Sequence, residues 1–237
     1  MKKYLYIVVL FLLTAGCALA QSAGSTAPQL TETSVVKDSS GTILPYSVWK
    51  SLLVTGKYLV RPLTPGSNSS EFVLIRLSEE AQKKRMENAP KPRESPFFTT
   101  GKKPRGFTAK DMNGNKYKLK DLEGKVVVLN FWFVACGPCR MEIPELNKLT
   151  EEYKDSSNVV FLAVALDSYS EVAKFLEKLP FNYNIVPDGR YISAIYSITA
   201  YPTHAILDKS GTVIFHSAGY GAATVPWLRK SIAKALQ

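Results

Sequence analysis

Two cysteines lie three residues apart, at Cys136 and Cys139, a few residues after an apolar run. The run, 126–129, is largely β-branched and predicts a buried strand. The residues after Cys139 carry apolar side chains at helical spacing and predict a helix. A helix N-terminus favours the thiolate form of the first cysteine. The second, one helical turn on, can attack a mixed disulfide formed by the first, so this spacing predicts thiol–disulfide exchange.

Zinc binding is the alternative chemistry for such a pair. Structural zinc sites use four ligands, and the remaining candidates here are His204 and His216, neither of which belongs to a second paired motif. We therefore expect no metal and no other bound cofactor.

The N-terminal residues have the pattern of a secretory signal peptide. Two lysines precede an apolar run over 4–13, and small residues end at Ala20, so 1–20 is predicted to be a cleaved signal peptide. The apolar run is too short to span a membrane. An uncleaved anchor is one alternative, and lipidation at Cys17 is another. Cleavage after Ala20 would leave Cys136 and Cys139 as the remaining cysteines, which could form one redox-active disulfide with each other.

The formal charge is +10, but the basic residues are spread along the chain among acidic ones. The densest clusters are 83–85 and 102–105. Because no predicted helix or strand concentrates this charge, we interpret it as a solvated basic surface and expect no nucleic-acid binding.

Residues 21–88 predict a small α+β segment. Its elements would be a hairpin near 34–44, a helix over 46–55, strands over 57–63 and 72–77, and a helix over 78–88 that Ser78 caps. Prolines and basic residues then predict a stiff, exposed linker over 89–105. No catalytic constellation occurs in 21–88, so its expected role is structural or partner-binding.

Residues 106–237 predict a second domain of the α/β class. The expected elements are a hairpin over 107–119, strands over 126–132 and 158–166, a helix over 171–178, an extended stretch over 181–186, a helical turn over 191–197, a strand pair over 204–216 and a final helix over 224–236. Strands that alternate with helices predict a mixed central sheet flanked by helices.

Several motifs of this domain occur together in one known family. They are Asn130-Phe131-Trp132, the Cys-Gly-Pro-Cys sequence, Glu142-Ile143-Pro144, Tyr201-Pro202-Thr203 and the hairpin at 107–119. With them, residues 107–237 resemble the thioredoxin fold, and more narrowly the TlpA/ResA-like extracytoplasmic thiol–disulfide oxidoreductases. The resemblance covers a little over half of the chain and none of 21–95.

The resemblance implies roles for the residues around the cysteines. Cys136 would be the nucleophile, Cys139 the resolving cysteine, and the two would form the redox-active disulfide. Glu142 would take the proton of Cys139 during resolution. A glutamate in the first turn of a helix, stabilised by the dipole, is the alternative interpretation of Glu142.

Substrate contacts are also implied. They would come from Gly137, Pro138, Tyr201, Pro202 and Thr203, and Pro202 matches the family's cis-proline, with an ordinary trans-proline as the alternative. The Gly-Pro pair between the cysteines resembles that of the reducing thioredoxins.

Two residues depart from the family pattern. Asn130 stands where thioredoxins carry a buried aspartate, and Ala135 stands where tryptophan is common. His204 and His216 are predicted to be ordinary strand residues, although His204 is close enough to Pro202 to face the site.

The sequence thus predicts an exported, periplasmic or otherwise extracytoplasmic monomer that reduces protein disulfides and receives electrons from a membrane thiol donor. Its substrate stays open among apocytochrome c, sulfenylated proteins and general disulfides. A thiol peroxidase is an alternative, but Leu129 and Phe133 replace the proline and threonine of the peroxiredoxin pattern. A non-enzymatic binding module is the other alternative.

Overall fold

The computed structural model describes residues 29–64 and 70–237. The predicted signal peptide and Cys17 lie outside these residues. Within the described part of the chain, no helix is both long enough and apolar enough to cross a membrane.

The N-terminal segment forms a four-stranded sheet with two helices. Its elements are β1 (Val35–Lys37), β2 (Ile43–Leu44), α1 (Tyr46–Val54), β3 (Tyr58–Pro62), β4 (Glu71–Arg76) and α2 (Glu79–Glu87). The strand order is β2-β1-β4-β3, and β1 pairs in parallel with β4. A small core of Val36, Trp49, Phe72 and Leu74 holds the sheet and α1 together.

The remaining elements belong to the second domain. They are β5 (Thr108–Lys110), β6 (Lys116–Lys118), a short 3-10 helix (Leu119–Leu122), β7 (Val126–Trp132), α3 (Gly137–Glu151), β8 (Val159–Ala165), α4 (Tyr169–Leu176), β9 (Asn184–Val186), α5 (Arg190–Ile195), β10 (Thr203–Leu207), β11 (Val213–Ala218) and α6 (Thr224–Leu236).

The central sheet has the order β11-β10-β7-β8-β9. Strands β7, β8 and β9 are parallel, whereas β10 is antiparallel to β7 and to β11, so the sheet is mixed as expected. Every residue of β7 is buried, because cores pack on both of its faces. One core includes residues of α3, α4 and α6, and the other includes residues of α5 and of the β5–β6 hairpin. The fold class predicted for this domain is confirmed.

The prediction of an exposed linker over 89–105 is wrong at two positions. Ser95 and Phe98 are buried, and the Phe98 ring lies 4.9 Å from that of Tyr196. Backbone hydrogen bonds join Gly101 and Lys102 to Val213. The prediction rested on the basic and proline-rich composition of the segment and therefore missed the burial of these two side chains. The division of the chain into 21–88, 89–105 and 106–237 stays a prediction.

His216 fastens this segment to β11. Its ring is buried, and its Nδ1 accepts a hydrogen bond from the backbone N–H of Ser95 at 3.1 Å. Burial lowers the pKa of His216, although Glu94, whose Oε2 lies 3.6 Å from Nε2, acts in the opposite direction. The neutral imidazole is therefore the form that the folded chain favours.

We expect a pH-dependent stability difference between the wild type and His216→Gln. Because the folded-state pKa is lowered, the unfolded chain binds the extra proton first, and the wild type loses this contribution as the pH falls below about 6.5. The difference in free energy of unfolding between the wild type and the variant should therefore be larger at pH 7.5 than at pH 5. Urea titrations at both pH values measure this, and a gap that stays constant or widens in acid would contradict it.

Candidate active site

The cysteine pair lies at the junction between β7 and α3. Cys136 is the N-cap of the helix, and the backbone N–H of Cys139 donates to Cys136 Sγ at 3.2 Å. The two cysteines form a disulfide. Cys139 lies inside the first turn and is 1% exposed, whereas Gly137 and Pro138 are exposed beside it. The first thiol thus occupies the helix N-terminus, as its position in the sequence predicted.

Two hydrogen bonds hold the loop that leads into Cys136 in place. The Asp167 carboxylate accepts a hydrogen bond from the backbone N–H of Val134 at 2.7 Å, and the N–H of Cys136 donates to the carbonyl of Phe133 at 3.0 Å. Ala135 is exposed at the top of this loop. These bonds fix the approach to the helix and therefore the position of the first sulfur.

Glu142 is buried about one helical turn after Cys139 rather than exposed on the helix surface. It lies in the second turn of α3 and is 1% exposed, which rules out the first-turn interpretation. Asn130 Nδ2 donates to its Oε1 at 3.0 Å, and His204 Nε2 lies 3.0 Å from its Oε2. A carboxylate removed from water requires such partners.

His204 completes this cluster from β10. It is fully buried, and its Nδ1 lies 3.3 Å from Asn130 Nδ2. His204 and Asn130 are directly opposite each other in the β10–β7 register, so their side chains share one face of the sheet. The prediction of an ordinary strand residue missed its contact with Glu142. The signal available in the sequence was its place two residues after Pro202.

The Tyr201–Pro202 peptide bond is cis, as the resemblance implied. Pro202 and Thr203 are buried, and Tyr201 is half-buried with its ring 5.4 Å from that of Phe133. The backbone N–H of Gly219 donates to the Pro202 carbonyl at 2.7 Å. The substrate-binding roles assigned to these residues and to Gly137 and Pro138 remain predictions.

The N-terminal segment contacts the domain next to this site. Lys57 Nζ lies 2.8 Å from Glu145 Oε1, on the helix that carries the cysteines. Burial raises the pKa of Glu145, but the hydrogen bonds from Lys57 and Lys148 lower it by more than burial raises it. The pKa of Glu145 therefore lies below its ordinary value. At Gly56, which has a φ of 73°, a Cβ would lie 2.6 Å from that of Ala222. A glycine is therefore required at this close approach.

No metal centre is evident in the described part of the chain. Within 29–64 and 70–237, no three His, Cys, Asp or Glu side chains come together in a way that could hold a metal ion.

Comparison with known proteins covers the second domain. Residues 100–216 match the model of the AhpC/TSA family. The chain is 38% identical over 109 residues to thioredoxin-like protein YneN of Bacillus subtilis (strain 168), a match that covers 45% of this chain and 64% of that protein. It is 35% identical over 115 residues to a thiol-disulfide oxidoreductase ResA of Bacillus cereus, covering 48% and 66% respectively.

A solved structure agrees. The crystal structure of a putative thiol:disulfide interchange protein DsbE from Chlorobium tepidum superposes with a TM-score of 0.54 at 30% identity, over 59% of this chain and 99% of that one. The chain spans about two thirds of the length of the curated relatives that it matches, 64% and 66%. The second domain therefore belongs to the thioredoxin-like AhpC/TSA family and has homologues among the ResA thiol-disulfide oxidoreductases.

Proposed function

We propose that this protein is an exported thiol–disulfide oxidoreductase that reduces disulfides in other proteins. The observation that carries the proposal is the Cys136–Cys139 disulfide at the N-terminus of α3, about one helical turn before the buried Glu142. The relatives named as thiol-disulfide oxidoreductases support it. The family match extends over 100–216 and does not reach the N-terminal sheet, whose role we propose to be structural or partner-binding.

The exchange uses both sulfurs in turn. The Cys136 thiolate attacks one sulfur of a substrate disulfide, forms a mixed disulfide and releases a substrate thiolate. Cys139 then gives up its proton, attacks Cys136 Sγ, forms the internal disulfide and releases the second substrate thiolate. Two electrons pass from the cysteine pair to the substrate, and Glu142 is the proposed acceptor of the Cys139 proton.

Renewal of the thiols requires a second dithiol that gives back two electrons and two protons. We propose a membrane thiol carrier for this role, with the protein working outside the cytoplasm as a monomer and without a bound cofactor. Tyr201, Pro202 and Thr203, with Gly137 and Pro138, would contact the substrate chain. Apocytochrome c, sulfenylated proteins and general disulfides are the substrate classes that this chemistry fits.

The test is to measure the reduction potential of the cysteine pair together with insulin-disulfide and peroxide reduction. We expect disulfide reduction and a potential near those of thioredoxins, about −270 mV. A potential near −120 mV, the value of a strong oxidant, would overturn the reducing direction. Peroxide reduction without disulfide exchange would instead favour a thiol peroxidase, and absence of both would leave a binding module.

A further inference from the structure

Glu142 and His204 form a buried pair. They are 1% and 0% exposed, and among the described residues the ion-pair partner of Glu142 is His204 alone. A buried carboxylate is costly unless hydrogen bonds satisfy it, and the side chains of His204 and Asn130 supply those bonds.

The heavy-atom distances fix where the ring proton lies. Asn130 Nδ2 can only donate, and it lies 3.0 Å from Glu142 Oε1 and 3.3 Å from His204 Nδ1. We therefore assign Nδ1 as an acceptor and place the ring proton on Nε2, which donates to Glu142 Oε2 at 3.0 Å. Both ring nitrogens are then engaged, because Nε2–H donates to Glu142 and Nδ1 accepts from Asn130.

The other ionisable groups near Glu142 are not available to accept the Cys139 proton in its place. Burial, and then the charge of Glu142, raise the pKa of Tyr183 well above its ordinary value. Burial, Glu142 and Glu145 raise the pKa of Tyr220 to about 12. Glu145 itself has a lowered pKa through Lys57 and Lys148, despite its burial. Both tyrosines thus stay protonated near neutral pH, and Glu145 stays ionised.

We propose that His204 is the positioning residue that holds Glu142 in place, through its Nε2–H, to accept the proton of Cys139. The inference rests on the proposed exchange activity. Cys139 and Glu142 lie three residues apart on the inner side of α3, so the proton leaves the thiol toward Glu142. When Cys139 attacks Cys136 Sγ, its electron pair forms the internal disulfide, the substrate thiolate leaves, and the proton remains on the Glu142 carboxyl.

A single-turnover experiment separates this step from the first attack. The reduced full-length protein, in excess, is mixed with dithiobis(nitrobenzoate) between pH 6 and pH 10. The first thionitrobenzoate released reports attack by Cys136, and the second reports resolution by Cys139. We expect His204→Leu, which removes the Nε2–H donor, to slow the second release by about 10- to 100-fold at pH 7 and to leave the first unchanged. The deficit should disappear toward pH 10, above the ordinary thiol pKa of about 8.5.

His216→Leu is the matched control, because His216 is another buried strand histidine outside this cluster, and its two releases should equal those of the wild type. Glu142→Gln should reproduce the profile of His204→Leu and keeps the test valid should the histidine variant unfold. The double variant should be no slower than either single variant, since the two residues act as a unit. Additive losses, or a second release whose pH profile matches the wild type, would overturn the proposal. A wild type that releases no thionitrobenzoate would instead refute the proposed function.

Discussion

Cys139→Ser is expected to stop turnover after one chemical step and to leave Cys136 covalently joined to its substrate. Cys136 caps α3 and receives the N–H of Cys139, so its thiolate is stabilised without help from the second sulfur. Cys139 is buried inside the first turn, where a substrate protein cannot reach it. A serine hydroxyl at this position cannot displace the substrate sulfur, and the mixed disulfide should accumulate.

Intact mass after incubation of the reduced variant with insulin measures this adduct, which dithiothreitol should remove. Cys136→Ser is the paired variant: it should form no adduct and should lower insulin reduction by about 10³-fold or more. An adduct on Cys136→Ser but not on Cys139→Ser would reverse the assignment of the two cysteines. Peroxide reduction that survives in Cys139→Ser would favour the thiol peroxidase instead.

The same trapped species identifies what the protein acts on. A pulldown with Cys139→Ser from an extracytoplasmic extract should recover proteins that are released by dithiothreitol. Cys136→Ser, treated in the same way, accounts for proteins that bind by other means. A substrate that appears only with Cys139→Ser is joined through the nucleophilic sulfur.

The elements around the cysteines could be predicted because their signals are local. Apolar residues 126–129 and the helical spacing after Cys139 locate β7 and α3, and the structure places them as expected. Ser78 was likewise predicted as a cap, and its hydroxyl accepts the N–H of Ala81 at 3.3 Å. In these cases a few neighbouring residues decide the conformation.

The contacts that the sequence could not supply are long-range. His204 and Glu142 are 62 residues apart, and β10 is buried along its whole length, so no polar alternation indicates which side faces α3. The parallel pairing of β1 with β4 joins strands that are separated along the chain by two other strands and a helix. Burial of Phe98 depends on a pocket formed by Tyr196 and Phe131, whose position only the folded sheet determines.

Asn130→Asp is expected to cost about 3–5 kcal/mol in free energy of unfolding at pH 8. Asn130 Nδ2 lies 3.0 Å from Glu142 Oε1, and neither residue is exposed by more than 1%. The substitution replaces a donor with a second carboxylate, and two carboxylates in one buried site cannot both ionise without penalty. His204 can neutralise only one of them.

The cost should depend on pH in a defined direction. The introduced carboxyl is protonated more readily in the folded than in the unfolded chain, so its folded-state pKa is raised and the penalty grows as the pH rises. It should fade as the pH falls toward about 4, near the ordinary pKa of aspartate. Urea unfolding of the variant and the wild type at pH 8 and pH 5 measures this.

Asn184→Asp provides the matched control. Its half-buried amide donates to the Phe161 carbonyl at 2.8 Å, so this variant also loses a donor in the central sheet, but at a bond to backbone rather than to a carboxylate. Its cost should be about 1–3 kcal/mol. Equal losses in the two variants would show that the second carboxylate has no specific effect. A larger loss in Asn130→Asp would mean that the site tolerates one carboxylate, which Glu142 already supplies, and would explain why the residue at 130 is an amide.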